Sequence, residues 1–268
     1  MKKLLIKLSL LGLASFAMLS TSCEQDQEIT VDQKESTLEL AKKHAEEIGY
    51  NPDDIDIRDF HYPDGTIEKR IYIEDDIALL EEQFFALEQI NSFTKQFRTN
   101  NLVTGNNQYG LSSKAQTGLR WAVANYNRLN NVTLNFRLTF GTNLNNADMY
   151  VYDTSFNTSD QGGVAGFPDS SGRPHDAIQI YNLESFSTNV NEHVITHEIG
   201  HSIGFRHSDW FSRQSCGQSG ESAGSNGANY ISGTVNGWDP TSLMNACFSA
   251  QSDGEFNAND KIALDQMY

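Results

Sequence analysis

The sequence predicts an α+β protein in which a small acidic α/β module precedes a larger domain built from a helix, several strands and a second long helix. Three observations lead there. Apolar residues recur at helical spacing at 38–48 and 119–126. Short runs at 55–60, 71–73, 132–140, 149–152 and 177–181 have the character of strands. Residues 24–100 carry 20 acidic against 8 basic side chains, whereas residues 101–268 carry 15 against 8. With 268 residues, 38% of them hydrophobic, the chain can bury one full core or two modest ones. Three cysteines are too few for a disulfide-built miniature fold, and no apolar run reaches the roughly eighteen residues of a membrane span. The net charge of −16 gives no support for binding a phosphate backbone, which argues against nucleic acid as a partner.

Residues 1–22 have the layout of an export signal. Lys2, Lys3 and Lys7 are followed by an apolar stretch at 8–19 that is too short to span a bilayer, and Ser20, Thr21 and Ser22 then lead into Cys23. Small residues directly before a cysteine resemble the lipoprotein cleavage box, which would make Cys23 the lipidated first residue of the mature chain; the alternative is ordinary secretion. The expected location is outside the cytoplasm, as an outer-membrane or cell-surface lipoprotein that touches the membrane through its N-terminal lipid only, or as a secreted protein. An oxidising compartment favours a disulfide between Cys216 and Cys247 over two free thiols.

Residues 23–100 divide into a tether and a module. Residues 24–33 are polar and are expected to stay unfolded. Leu38, Leu40, Ala41, Ala45 and Ile48 share a helix that Gly49 stops. Ile55, Ile57 and Phe60, the Pro63-Asp64-Gly65 turn, and Ile71 and Ile73 follow as short strands. In residues 101–268, Leu119, Ala122, Val123 and Tyr126 line one face of a helix capped by Ser112 or Ser113. Val132, Leu134, Phe136, Leu138 and Phe140 alternate with polar residues, the pattern of a strand covered on one side. Strands at 149–152 and 177–181 flank a loop at 162–174, and a long helix begins near Asn189.

That helix carries His197-Glu198-Ile199-Gly200-His201. Positions i and i+4 share a helix face about 6 Å apart, so His197 and His201 can present two imidazole nitrogens to one ion. Zinc favours four nitrogen, oxygen or sulfur donors, and a hydrolytic site leaves one position for water. A continued helix would carry His207 out of reach. Gly204 permits the positive φ that ends the helix and turns the chain back, making His207 the third ligand. Glu198 lies beside the metal-facing row, where it can act as general base. The combination implies peptide hydrolysis at one catalytic zinc ion.

These residues, HExxHxxGxxH from His197 to His207, resemble the motif of the metzincin metallopeptidases. The literal HEIGH string, residues 165–180 and the late cysteines are most similar to the dual-action HEIGH metallopeptidase family. The resemblance implies a metzincin-like catalytic domain at 101–268: a twisted mixed sheet, an active-site helix beneath it, and a smaller irregular C-terminal half ending in a helix at 260–268. It also implies a turn at Ser242-Leu243-Met244-Asn245 with Met244 as a hydrophobic floor under the metal, and an edge strand near 163–167 that pairs antiparallel with substrate. Ala246 stands where some metzincins carry a ligating tyrosine, so oxyanion stabilisation falls mainly to zinc. Asp209 either orients a ligating histidine or is a plain surface carboxylate. His175 and His193 lie outside the motif and are expected to be structural or exposed.

The module at 23–100 is expected to be a prosegment covering the cleft or, alternatively, a spacer. In related proteins a Glu-Gly-Asp-like segment lies in this region. Here the stretch is Glu74-Asp75-Asp76, with Asp75 in the glycine position and Asp76 as the latency ligand. Calcium is a second candidate ion, through Asp169. Protein or peptide substrates and a monomeric state complete the expectation of an exported zinc endopeptidase. The competing function is a surface binding or adhesion lipoprotein with a structural, non-catalytic zinc.

Overall fold

The computed structural model describes residues 31–87, 102–104, 109–142, 144, 147–218 and 229–268; the segment 1–22 expected to be an export signal, and Cys23, lie outside the described residues. Helix α1 (Val31–Ile48) begins inside the span expected to be an unfolded tether, so the helix starts earlier than its apolar spacing indicates. Gly49 ends it at φ +91°. Strands β1 (Ile55–His61), β2 (Ile67–Ile73) and β3 (Ile77–Leu79) form an antiparallel meander, and a short helix α2 (Glu81–Phe85) follows. Ala41, Ala45 and Ile48 pack on Ile55, Ile57, Ile71 and Ile73, giving the front module its own core.

The second unit is a four-stranded sheet in the order β4 (Leu102–Thr104), β5 (Met149–Asp153), β7 (Ala177–Tyr181), β6 (Gly162–Val164). Strands β4, β5 and β7 run parallel, and β6 closes the edge antiparallel to β7. Helix α3 (Ser113–Asn127) is capped by the Ser112 hydroxyl, which accepts from the Ala115 N–H. It packs along α4 (Thr188–Ser202), and α5 (Ala258–Met267) closes the chain. Leu119, Ala122 and Tyr126 of α3 and Val194, Ile195 and Ile199 of α4 form the centre of the larger core, and the Tyr126 hydroxyl donates to the Thr196 carbonyl at 2.9 Å.

The expected strand at 132–140 is corrected. Leu134 and Phe136 are buried and their neighbours exposed, as the alternation requires, but Phe140 is exposed, and among the described residues the segment forms no strand, only a single bridge at Leu138. Its backbone bonds elsewhere: Phe136 exchanges two 2.8 Å bonds with the Asn127 side chain, and the Thr133 N–H donates to the Tyr268 carbonyl. Inside the expected loop at 162–174, the first residues form β6.

The two units share an apolar interface. Phe60, Tyr72 and Ala78 pack with Tyr150, Tyr152, Val164 and Ala177, while Phe167 enters the front module's core. The Tyr152 hydroxyl and the Gln179 amide both donate to the His61 carbonyl, at 2.9 and 3.0 Å.

Cys216 and Cys247 form the expected disulfide, with Cα atoms 5.1 Å apart and 31 residues of sequence separation. Replacing both cysteines with serine is expected to lower unfolding stability by about 3 to 4 kcal/mol on the chain-entropy account, measured by denaturant titration.

Candidate metal centre

Burial of α4 sets the site. Nearly every residue from Val190 to Ser202 is inside the protein, so the polar side chains of the helix must be met by partners. His197 and His201 lie one turn apart. The helix ends at Ser202, and Gly204, at φ +109°, reverses the chain and returns His207 beside them. The bend expected at Gly204 therefore forms.

All three rings turn their Nε2 atoms inward and bond through Nδ1. His197 Nδ1 donates to the Leu243 carbonyl at 2.9 Å and His201 Nδ1 to the Phe205 carbonyl at 2.7 Å. His207 Nδ1 faces a Glu74 carboxylate oxygen at 2.5 Å. The Nε2 atoms of His201 and His207 are 3.2 Å apart. Asp76 Oδ2 reaches the same point, 2.7 Å from His207 Nε2, 3.5 Å from His197 Nε2 and 3.7 Å from His201 Nε2. The four donor atoms lie within 4.8 Å of one another and could hold a metal ion. Ligands about 2 Å from a tetrahedral zinc stand about 3.3 Å apart, so both the donor types and the spacings suit that ion.

Glu198 lies against the edge strand: a β-carbon on Gly163 would fall 2.6 Å from Glu198 Cγ. Its Oε2 is buried without a partner. Burial, and next the Asp76 carboxylate, push its pKa well above the usual carboxylate range. Burial opposes protonation of His207, but the charges and hydrogen bonds of Asp76 and Glu74 raise it to about 10; burial and His201 lower His197 to about 4. The cluster is an anion-rich pocket that favours a positive centre among the imidazoles.

Met244 lies beneath the helix as expected. A β-carbon on Gly200 would be 2.4 Å from the Met244 sulfur, so the glycine of HEIGH is the space the thioether fills. The turn is pinned by Asp260, which accepts from Ser242 Oγ at 2.9 Å and the Leu243 N–H at 3.0 Å, and by the Ser208 N–H, which donates to the Met244 carbonyl.

Asp209 is buried and does not orient a histidine. Its carboxylate accepts from the Ala246 and Ser215 N–H groups, each at 2.9 Å, tying the segment after His207 to the turn at 242–245 and the disulfide loop. Asp169 is engaged by Ser171 and Arg173 of its own loop, so nothing there favours calcium. His175 is buried beside Phe60, and His193 stacks near His197 and bonds the Asp253 carbonyl, consistent with structural roles.

Two site residues escape the sequence reading. Glu74 is one, although it stands two residues before Asp76 in the quoted acidic stretch. Arg206 is the other; it lies 3.9 Å over the Tyr50 ring with its guanidinium 3.5 Å from Glu74. Nothing in the spacing of the third-ligand segment announces it.

Three clustered histidines, a buried glutamate and a methionine packed against the same helix on a mixed α+β scaffold define a zinc-peptidase type of centre. Residues 71–268 match the family of dual-action HEIGH metallo-peptidases, and the chain belongs to that family as a zinc metallopeptidase acting on protein or peptide substrates. The matched span begins at Ile71 and so includes Glu74 and Asp76. A comparison with curated proteins returns no match. Two solved structures of myroilysin are similar at 14% identity. One has a TM-score of 0.39 over 64% of this chain and 92% of its own, the other 0.36 over 66% and 86%.

Asp209→Ala is expected to destabilise the protein by about 1–3 kcal/mol, because two backbone N–H groups lose their acceptor; thermal unfolding of the two proteins checks this.

Proposed function

We propose that the protein is an exported, monomeric zinc endopeptidase synthesised in a latent form, with Glu198 as its general base and the module at 23–100 as its prosegment. The observation that carries the reading is the unpartnered, buried Glu198 carboxylate beside three converging imidazoles. His197, His201 and His207 would hold the ion. Zinc bound there supplies Lewis acidity toward a peptide carbonyl and the attacking water. Glu198 takes the proton from that water as its oxygen adds to the carbonyl carbon, then delivers the proton to the amine as the C–N bond breaks. The fit of Glu198 against the Gly163 backbone holds it at the edge strand along which an extended substrate would run.

Latency is supported by the front module's own contacts. Asp76 occupies the fourth donor position, where the attacking water would otherwise sit. The adjoining backbone takes the edge: the Ala165 N–H donates to the Asp76 carbonyl at 2.9 Å, and the Ala78 N–H to the Ala165 carbonyl at 2.7 Å. This bridge is parallel, opposite to the direction the resemblance implies for substrate.

Export, with lipidation at Cys23 or release into the medium, follows from the N-terminal pattern and the Cys216–Cys247 disulfide, which suits an oxidising compartment. Recovery of the full-length protein in the cytosolic fraction with Met1 intact would overturn it.

In the Asp76→Asn background, Glu198→Gln is expected to lower peptide hydrolysis by roughly 10²–10⁴-fold with the zinc content unchanged; equal degradation of a denatured protein mixture by an active Asp76→Asn protein and its Glu198→Gln derivative would refute the catalytic assignment. Asp76→Asn should raise the activity of the full-length chain. If cleavage of a quenched peptide stays at the parent level, Asp76 is not the latency ligand.

A further inference from the structure

We propose that Glu74 is a positioning residue of the metal centre: the front module holds the third ligand, His207, in its metal-binding orientation through the Nδ1–carboxylate bond. The inference rests on the reading of His197, His201 and His207 as zinc ligands and adds a role for the front module opposite to inhibition.

The three rings are supported unequally. His197 and His201 belong to a buried helix, and each gives its Nδ1 proton to a backbone carbonyl of the catalytic unit. His207 stands outside any helix, after the Gly204 reversal. It is therefore the ligand least constrained by its own backbone, and its Nδ1 partner is a carboxylate 133 residues away in sequence. A hydrogen bond to an ionised acceptor is roughly twice as strong as one to a neutral carbonyl. A carboxylate behind a ligating imidazole also fixes the tautomer and raises the donor strength of the far nitrogen.

Glu74 is itself held. Its N–H donates to the Asp54 carbonyl at 3.0 Å, and its second oxygen faces Arg206, whose guanidinium lies over Tyr50. Asp54 in turn pairs with Arg213 at 3.2 Å. Glu74 and the next residue, Asp75, have φ of +56° and +71°, left-handed values that non-glycine residues rarely adopt. This turn directs Glu74 and Asp76 to the two nitrogens of one imidazole, while the Asp75 side chain pairs outward with Arg58. Asp76 contacts the Nε2 side and competes with water; Glu74 touches only the Nδ1 side and leaves the metal position free. The two carboxylates thus have separable effects, Asp76 on turnover and Glu74 on metal retention.

The full-length chain, stripped and reloaded, can be titrated with zinc against a chromophoric chelator and with cobalt(II) followed by its visible absorption. Glu74→Gln is expected to weaken zinc binding by about 10–100-fold, the range for lost outer partners of metal ligands, and to shift the cobalt spectrum. Glu74→Asp keeps the charge but is one methylene too short, and should show a similar loss. Asp75→Asn, in the same turn but paired away from the site, should match the parent. The proposal fails if both Glu74 variants bind zinc as the parent does, or if Asp75→Asn loses as much affinity, since the turn's fold alone would then matter. A parent that took up no stoichiometric zinc would instead defeat the metal-site reading itself, so the two failures are distinguishable.

Discussion

A buried ion held by imidazoles requires each ring to arrive neutral, in one tautomer, with its far nitrogen bonded. That constraint organises the rest of the molecule. Leu243 supplies its carbonyl only because the methionine turn is fastened by Asp260 from the last helix, and Phe205 supplies its own because the chain has just reversed at Gly204. The C-terminal half, irregular in secondary structure, is a scaffold for second partners of histidines.

Space is as closely controlled as hydrogen bonding. Glycines at 200 and 163 leave the volumes that Met244 and Glu198 fill, on opposite sides of the same helix turn. A larger residue at either position would displace Met244 or Glu198, so the sequence around the histidine cluster is constrained by packing as well as by its donors.

The front module is docked on this scaffold through an apolar surface and through charge. Its acidic excess is not diffuse at the contact: Glu74 and Asp54 face Arg206 and Arg213, two of the eight basic residues after residue 100. Two consecutive left-handed residues in the turn cost of order 1–3 kcal/mol each, a strain that persists only where surrounding contacts over-determine the geometry. Asp75 holds its left-handed conformation with its side chain paired to Arg58.

Local pattern determined much of this protein. The helix at 113–127 follows from apolar spacing and a serine cap, the later turns of the helix at 31–48 follow from apolar spacing, and the candidate ligand set follows from helical periodicity plus one glycine. These are properties of neighbouring residues, which the chain expresses wherever it is buried. Alternation at 132–138 reported the covered face but not the ladder, and Phe140 is exposed, because period two records which face is covered and not what the backbone bonds. Tertiary structure alone decided that Asp209 serves the methionine turn, that Glu74 backs His207 and that Arg206 meets Tyr50. Each joins segments far apart in sequence, and such partnerships are set by how preformed units dock, a long-range outcome that no local periodicity encodes.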